Sequence, residues 1–202
     1  MISSVSKRIR AICFDFDGTL AQFEGDFARL TALCCDQLGI DPGDRAFLAT
    51  YEREIRAEGH VTFALALRRA LETHGYPVPA GLEAFAAEVT ARYAAEVRLL
   101  PGVRELLAYF APLPKAIITN GPADMQWAAI RSVGLEREFE AIVVSGDPDV
   151  AVRKPHPRIF HLACERLGVP PHETLMIGDH LEADIQGAIA AGLQGLHRPN
   201  SA

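Results

Sequence analysis

Positive charge is in short supply in this chain, and long apolar runs are missing from it altogether. Twenty Lys and Arg stand against 26 Asp and Glu, a formal net charge of −6. That balance removes the general electrostatic reason to expect nucleic acid or an anionic membrane as partner. No apolar run approaches a bilayer's thickness, and Met1 to Arg8 lacks the apolar core of a secretory signal. The expected location is therefore the cytoplasm. Cysteine is sparse as well: Cys13, Cys34, Cys35 and Cys164 show neither zinc nor redox spacing. Cys34 and Cys35 lie in a helical pattern and read as small hydrophobes. Repeats and low-complexity tracts are absent. Lysine is absent between residues 22 and 98, where the basic residues are Arg29, Arg45, Arg53, Arg56, Arg68, Arg69, Arg92 and Arg98.

What remains is a globular composition, 49% apolar and 23% charged over 202 residues. That suffices for one domain with an insertion, or for two small ones. The most informative stretch runs from Ile9 to Leu20, where an apolar run rich in β-formers stops at Asp15-Phe16-Asp17-Gly18-Thr19. It reads as a buried strand with carboxylates at its carboxyl end. If the strand persists through both acids, period-two geometry places Asp15 and Asp17 on one side. Two acids there repel and lose hydration, which a bound Mg²⁺ would offset with its preference for oxygen ligands. An Asp-x-Asp-Gly turn is the plainer alternative.

After Leu20 the period changes. Phe27, Leu30, Leu33, Cys34 and Leu38 predict a helix closed by Gly39, and Phe47, Leu48, Tyr51 and Ile55 predict a second. Thr62 caps a third that ends near Gly75, and a fourth spans about Leu82 to Val97. Residues 22 to 98 thus read as an all-helical block without a convincing strand. From Pro101 helices and strands alternate. Val103 to Phe110 is helical, and Lys115 to Gly121 forms a strand with a polar end. A helix through Trp127 and Ile130 is followed by strand Ala141 to Ser145 and a helix from Pro155 to Leu167. A strand over Thr174 to Asp179, a helix over Leu181 to Ala191 and an edge strand over Leu193 to His197 complete the chain. This alternation predicts an α/β fold with a doubly wound parallel sheet, Rossmann-like, interrupted after its first strand by the helical block. The expected division is a core of residues 1–21 and 99–202 and a helical insertion of 22–98. The site should lie at the carboxyl edge of the sheet, between the two.

The strand ends converge on one chemistry. Asp15 and Asp17 end the first, while Thr119, Asn120 and Gly121 end the second with a hydroxyl, an amide and backbone N–H groups suited to phosphate oxygens. Asp179 ends another, with Asp184 five residues on, and Lys154 precedes a helix. Taken together these segments resemble, in order, the four motifs of the haloacid dehalogenase-like hydrolase superfamily. They are Asp15-Phe16-Asp17-Gly18-Thr19-Leu20, Thr119-Asn120-Gly121, Lys154-Pro155, and the stretch Gly178-Asp179-His180-Leu181-Glu182-Ala183-Asp184. The resemblance spans about residues 9 to 197, and the helical block occupies the position of that family's small cap.

The resemblance implies Mg²⁺-dependent hydrolysis of a small phosphorylated metabolite, phosphoglycolate-like or a sugar phosphate, by a monomer or homodimer. Asp15 would be the nucleophile that forms an aspartyl-phosphate, and Asp17 the general acid and then base. Asp15, Asp179 and the backbone carbonyl of Asp17 would hold Mg²⁺. Thr119 and N–H groups near Asn120 and Gly121 would bind phosphate, Lys154 would balance charge, and Asp184 would orient Lys154 or a metal-bound water. His180 is read as structural or at the rim, His156 as a helix start, His60 and His74 as turn residues, and Cys13 as core.

Alternatives within the resemblance are a phosphomutase and a non-catalytic protein that keeps the fold, although Asp15, Asp17 and Lys154 are all retained. Dehalogenases do without an acid in the position of Asp17, and a Schiff-base lysine is missing from the insertion. The insertion's arginines are candidates to meet an anionic substrate. One departure stands out: Ala21-Gln22-Phe23 follows Leu20 where many relatives carry an acid, which leaves the hinge and its specificity contacts open.

Overall fold

A computed structural model describes residues 8–199; the reading of Met1 to Arg8 lies, but for Arg8, outside them. The central strand β1 (Ala11–Phe14) is wholly buried. It is flanked by β4 (Lys115–Thr119) and β6 (Thr174–Gly178), and these by β5 (Ala141–Val144) and β7 (Gln194–His197). All four pairings are parallel, giving the order β5-β4-β1-β6-β7. Such strands are continuous apolar runs because helices cover both faces. Alternation sorts their side chains: Ile12, Phe14, Ile117 and Ile142 face α5 (Val103–Tyr109) and α6 (Ala123–Ser132). Cys13, Ala116, Ile118 and Val143 face α7 (Pro157–Leu167) and α8 (Gly187–Ala190). Cys13 is core, as expected, and burial holds its thiol pKa well above the ordinary value.

Strand order reverses beside β1: the chain goes on to β4 and β5 on one side, then crosses to β6 and β7 on the other. The carboxyl end of β1 therefore opens onto a crevice. The predicted strand stops earlier than its apolar pattern suggests. Asp15 N–H still bonds the Ile177 carbonyl at 2.9 Å, but the Phe16 carbonyl accepts from Leu20 and Ala21, and Gly18 takes φ 78°. The chain turns there, so Asp15 and Asp17 do not share one face of a strand.

Between β2 (Ala21–Phe23) and β3 (Val97–Leu99) lie four helices: α1 (Phe27–Leu38), α2 (Arg45–Ile55), α3 (Phe63–Thr73) and α4 (Leu82–Ala95). Two predicted boundaries are real: Thr62 caps α3 with its side chain, and Gly39 closes α1 at φ 66°. Asp26, not foreseen, caps α1. The helices share a core around Phe47, Phe63, Leu67 and Leu82. The expectation of no strand in this region is corrected: β2 and β3 form an antiparallel ribbon in the register Ala21↔Leu99 and Phe23↔Val97. Three residues are too few to show a period, and the partners lie far apart in sequence. The helix expected over Leu181 to Ala191 also differs, opening as a π-helical turn at Leu181–Gln186 before α8.

The ribbon is not the only tie between insertion and sheet. The loop between α2 and α3 lies on core loops: Val61 N–H bonds the Gly146 carbonyl at 3.1 Å, and Ala123 N–H bonds the Val61 carbonyl at 2.8 Å. The His60 ring lies 2.7 Å from the same Gly146 carbonyl, and Asp124 accepts from Phe63 N–H at 2.9 Å. Gly146 permits this approach. A Cβ there would lie 2.6 Å from the Gly121 and Val61 carbonyl oxygens, backbone atoms that cannot rotate away. Gly146→Ala should therefore cost about 1–3 kcal/mol, seen as a lower unfolding midpoint in denaturant; an unchanged midpoint would show that this junction yields.

Candidate active site

The crevice beyond β1 collects residues from every strand end around it. Asp15 emerges from the central strand and is 6% exposed. Lys154 reaches it from the loop before α7, placing Nζ 2.5 Å from Asp15 Oδ1, 2.7 Å from Asp184 Oδ1 and 2.7 Å from the Ile118 carbonyl. Asp184 comes from the π-helical turn, where its Oδ2 accepts His180 N–H at 2.9 Å. His180 in turn accepts Ala183 N–H at 3.1 Å, so it is a helix cap. Thr19 hydroxyl sits between Asp15 Oδ2 and Asp179 Oδ1, at 3.3 and 3.4 Å. Gly178 keeps β6 close to this group, since a Cβ there would strike the Asp184 side chain.

Burial dominates the electrostatics. It pushes the Asp15 carboxyl up to about 7, although Lys154 draws it down. Lys154 keeps its proton because Asp15 and Asp184 outweigh the opposing effect of burial on its charge. Asp17 is also raised by burial, against the N–H that Gln126 donates to its Oδ2 at 2.9 Å. A carboxyl that holds its proton above the usual range suits a proton donor.

The oxygens of Asp15, Asp179 and Asp184 can gather within 4.8 Å. Three carboxylates face one ammonium, whose Nζ lies 2.7 Å from Asp184 Oδ1. Hard oxygen donors with surplus negative charge fit Mg²⁺. Asp184, expected to act only through its neighbours, offers an atom to this cluster while it pairs with Lys154.

The groups of the second motif are engaged within the protein. Thr119 hydroxyl donates to Gln126 Oε1 at 2.8 Å. Asn120 clasps the main chain of Lys154, accepting from its N–H at 2.8 Å and donating to its carbonyl at 3.0 Å. Gly121 N–H bonds Ser145 Oγ at 2.9 Å. These groups are engaged with the protein, and Asn120 serves the loop that carries Lys154. Gln126 and Thr19 were missed as site residues. Thr19 belonged to a quoted motif, but Gln126 lies mid-helix, and only its polarity on a face that packs inward could have marked it.

The insertion's arginines mostly turn away. Arg53 and Arg69 meet Glu54, Arg68 meets Glu83, and Arg92 meets Glu88 across exposed surface. Arg98 bonds the Ala95 and Val97 carbonyls. Of the eight, Arg56 alone lines the cavity beside Asp17.

A family model described as haloacid dehalogenase-like hydrolase matches residues 9–192. The chain belongs to that family. This haloacid dehalogenase-like hydrolase is 33% identical over 193 residues to the phosphoglycolate phosphatase of Yersinia pestis, covering 92% of this chain and 79% of the relative. It is 32% identical over 200 residues to the ribulose-1,5-bisphosphate 5-phosphatase of Halopiger xanaduensis, covering 91% and 82%. Among solved structures it resembles the HAD-hydrolase YfnB of Bacillus subtilis bound to magnesium, with TM-score 0.66, 27% identity and coverage of 94% and 88%. That neighbour holds magnesium, and the carboxylate cluster of Asp15, Asp179 and Asp184 in this chain fits the same ion.

Asp15 makes metal binding depend on pH. Its folded pKa of about 7 exceeds the ordinary 3.8. Its contribution to metal-free stability is therefore complete below the lower value and lost as pH rises through the upper one. Mg²⁺ needs the carboxylate, so saturating Mg²⁺ should raise the melting temperature more at about pH 8 than at about pH 5.5. Equal shifts at both would remove Asp15 from the metal cluster.

Proposed function

We propose that this hydrolase is a Mg²⁺-dependent phosphomonoesterase that works through an aspartyl-phosphate on Asp15. The observation that carries the reading is the buried Asp15 carboxylate, held by Lys154 at 2.5 Å and Thr19 at 3.3 Å where the sheet opens. Asp15 attacks phosphorus in line with the ester oxygen, and Asp17 gives that oxygen its proton as the alcohol leaves. Asp17 then takes a proton from water as it attacks the aspartyl-phosphate, which returns Asp15. Mg²⁺ supplies the positive charge that lets an anionic nucleophile approach an anionic phosphate. Lys154 offsets charge on the side facing Asp184, and Gln126 aims Asp17. Thr119 meets the phosphoryl oxygen by giving up its bond to Gln126, and N–H groups near Asn120 assist.

Residues 22–98 act as the cap and residues 1–21 with 99–202 as the core, the ribbon β2–β3 being their common hinge. The substrate is a small phosphorylated metabolite. Transfer to water rather than to a second substrate site distinguishes this reading from a mutase.

Hydrolysis of a generic aryl phosphate should vanish with chelator and return with Mg²⁺. Asp15→Asn should fold normally and lose at least about a thousandfold in kcat, because a carboxamide does not attack phosphorus. A folded Asp15→Asn enzyme with wild-type turnover would take Asp15 out of the reaction.

A further inference from the structure

A cavity of about 510 Å³ begins at Asp17, Gly121 and Gln126 and runs up among α1, α2, α3 and α4. Its size falls among pockets that enclose a whole organic ligand, about 300–1,000 Å³. The group that departs with its oxygen at Asp17 has this space to occupy. Its walls are mostly apolar: Leu30, Cys34, Phe47, Leu48, Ile55 and Phe63 face it, with Thr31 and Tyr51 between them. Cys34 is a neutral thiol there, since burial pushes its pKa up to about 12.

Charge is confined to the two ends. Asp17 stands at the inner one. At the other, Glu52 and Arg56 are exposed to solvent, and the backbone N–H of half-buried Arg153 donates to Glu58 Oε2 at 3.1 Å. Burial, and Arg56 beside it, lower the Arg153 pKa against the pull of Glu58. A carboxylate or a polyhydroxylated chain pushed into the walls would lose hydration to a surface that offers few donors in return, Thr31 and Tyr51 among them. An apolar body would gain from the same surface, at about a factor of four for each buried methylene.

We propose that the preferred substrate is the phosphate monoester of an alcohol with an apolar body of about six carbons or more, lodged in this cavity while its oxygen meets Asp17. The inference rests on the phosphomonoesterase reading and adds the leaving group. It sets this hydrolase apart from a relative such as the phosphoglycolate phosphatase of Yersinia pestis, whose named substrate carries a carboxylate.

The test is a series of primary alkyl phosphates from ethyl to octyl, with phosphoglycolate and a hexose 6-phosphate alongside, assayed with Mg²⁺. The leaving alcohols of the alkyl series differ little in acidity, so kcat/KM reports binding of the body. A rise of at least about tenfold from ethyl to hexyl phosphate is expected, with hexyl phosphate ahead of phosphoglycolate and the sugar phosphate. Leu48→Gln places an amide in the wall at a half-buried position outside the catalytic group. It should lower kcat/KM for hexyl phosphate by about tenfold and leave ethyl phosphate within about twofold. A flat alkyl series, or phosphoglycolate or the sugar phosphate as the best substrate, overturns the apolar assignment while leaving the phosphomonoesterase reading intact. If no ester in the set is hydrolysed, that reading fails and the inference falls with it.

Discussion

The Lys154 ammonium, buried between Asp15 and Asp184, is the contact on which the site depends. Carboxylates brought to one sheet edge repel, and each has lost water to get there. Lys154 is itself 6% exposed and would be costly to bury alone. Together the groups tolerate what none would tolerate separately. Removing one partner from such a buried pair typically costs about 3–5 kcal/mol. The surrounding polar contacts follow from this need: Ile118 gives Nζ a carbonyl, Asn120 clamps the Lys154 backbone, and His180 N–H holds the far oxygen of Asp184. Even so, three acids meet one base, and the deficit is what makes the place fit a dication.

The sheet supplies rigidity and the insertion supplies shape. Main-chain pairing fixes β1 between β4 and β6, so Asp15 and Asp179 leave neighbouring strands at one edge. The insertion is held in two ways, by the β2–β3 ribbon and by the loop that carries Val61 onto Gly146. With the second tie in place the four helices lean over Asp17, and their inner walls become part of the site. Chemistry and selection thus have separate sources: charged groups at strand ends, and apolar side chains on helices that meet them only in three dimensions.

Much of the site was legible because its residues sit at transitions of period. An apolar run that stops at Asp15-Phe16-Asp17-Gly18, and another that stops at Gly178-Asp179, announce strand ends without reference to the fold. Helix boundaries such as Gly39 and Thr62 were equally plain, since each acts on backbone within a few residues of itself. Three-residue strands were not legible, because Ala21–Phe23 owes its form to Val97–Leu99 across the whole insertion. Gln126 was hidden for the same reason: its partners, Thr119 and Asp17, come from two other elements. The direction of the insertion's arginines was not legible either, since charge is visible in a sequence and direction is not. Arg53, Arg68, Arg69 and Arg92 spend theirs on surface glutamates.

By itself the sequence determined the alternation of strands and helices, the interruption after the first strand, and which acids and which lysine stand at element ends. These are local matters of period, capping and β-propensity, decided by neighbours along the chain. Only the tertiary structure decided that the turn at Gly18 sends Asp15 to Lys154 and Asp17 to Gln126. It alone engaged Asn120 with the Lys154 backbone, drew Asp184 among the metal-binding oxygens, and gave the cavity above Asp17 its apolar walls. Those outcomes belong to side chains from distant segments competing for the same buried partners, and such competition exists only once the segments have met.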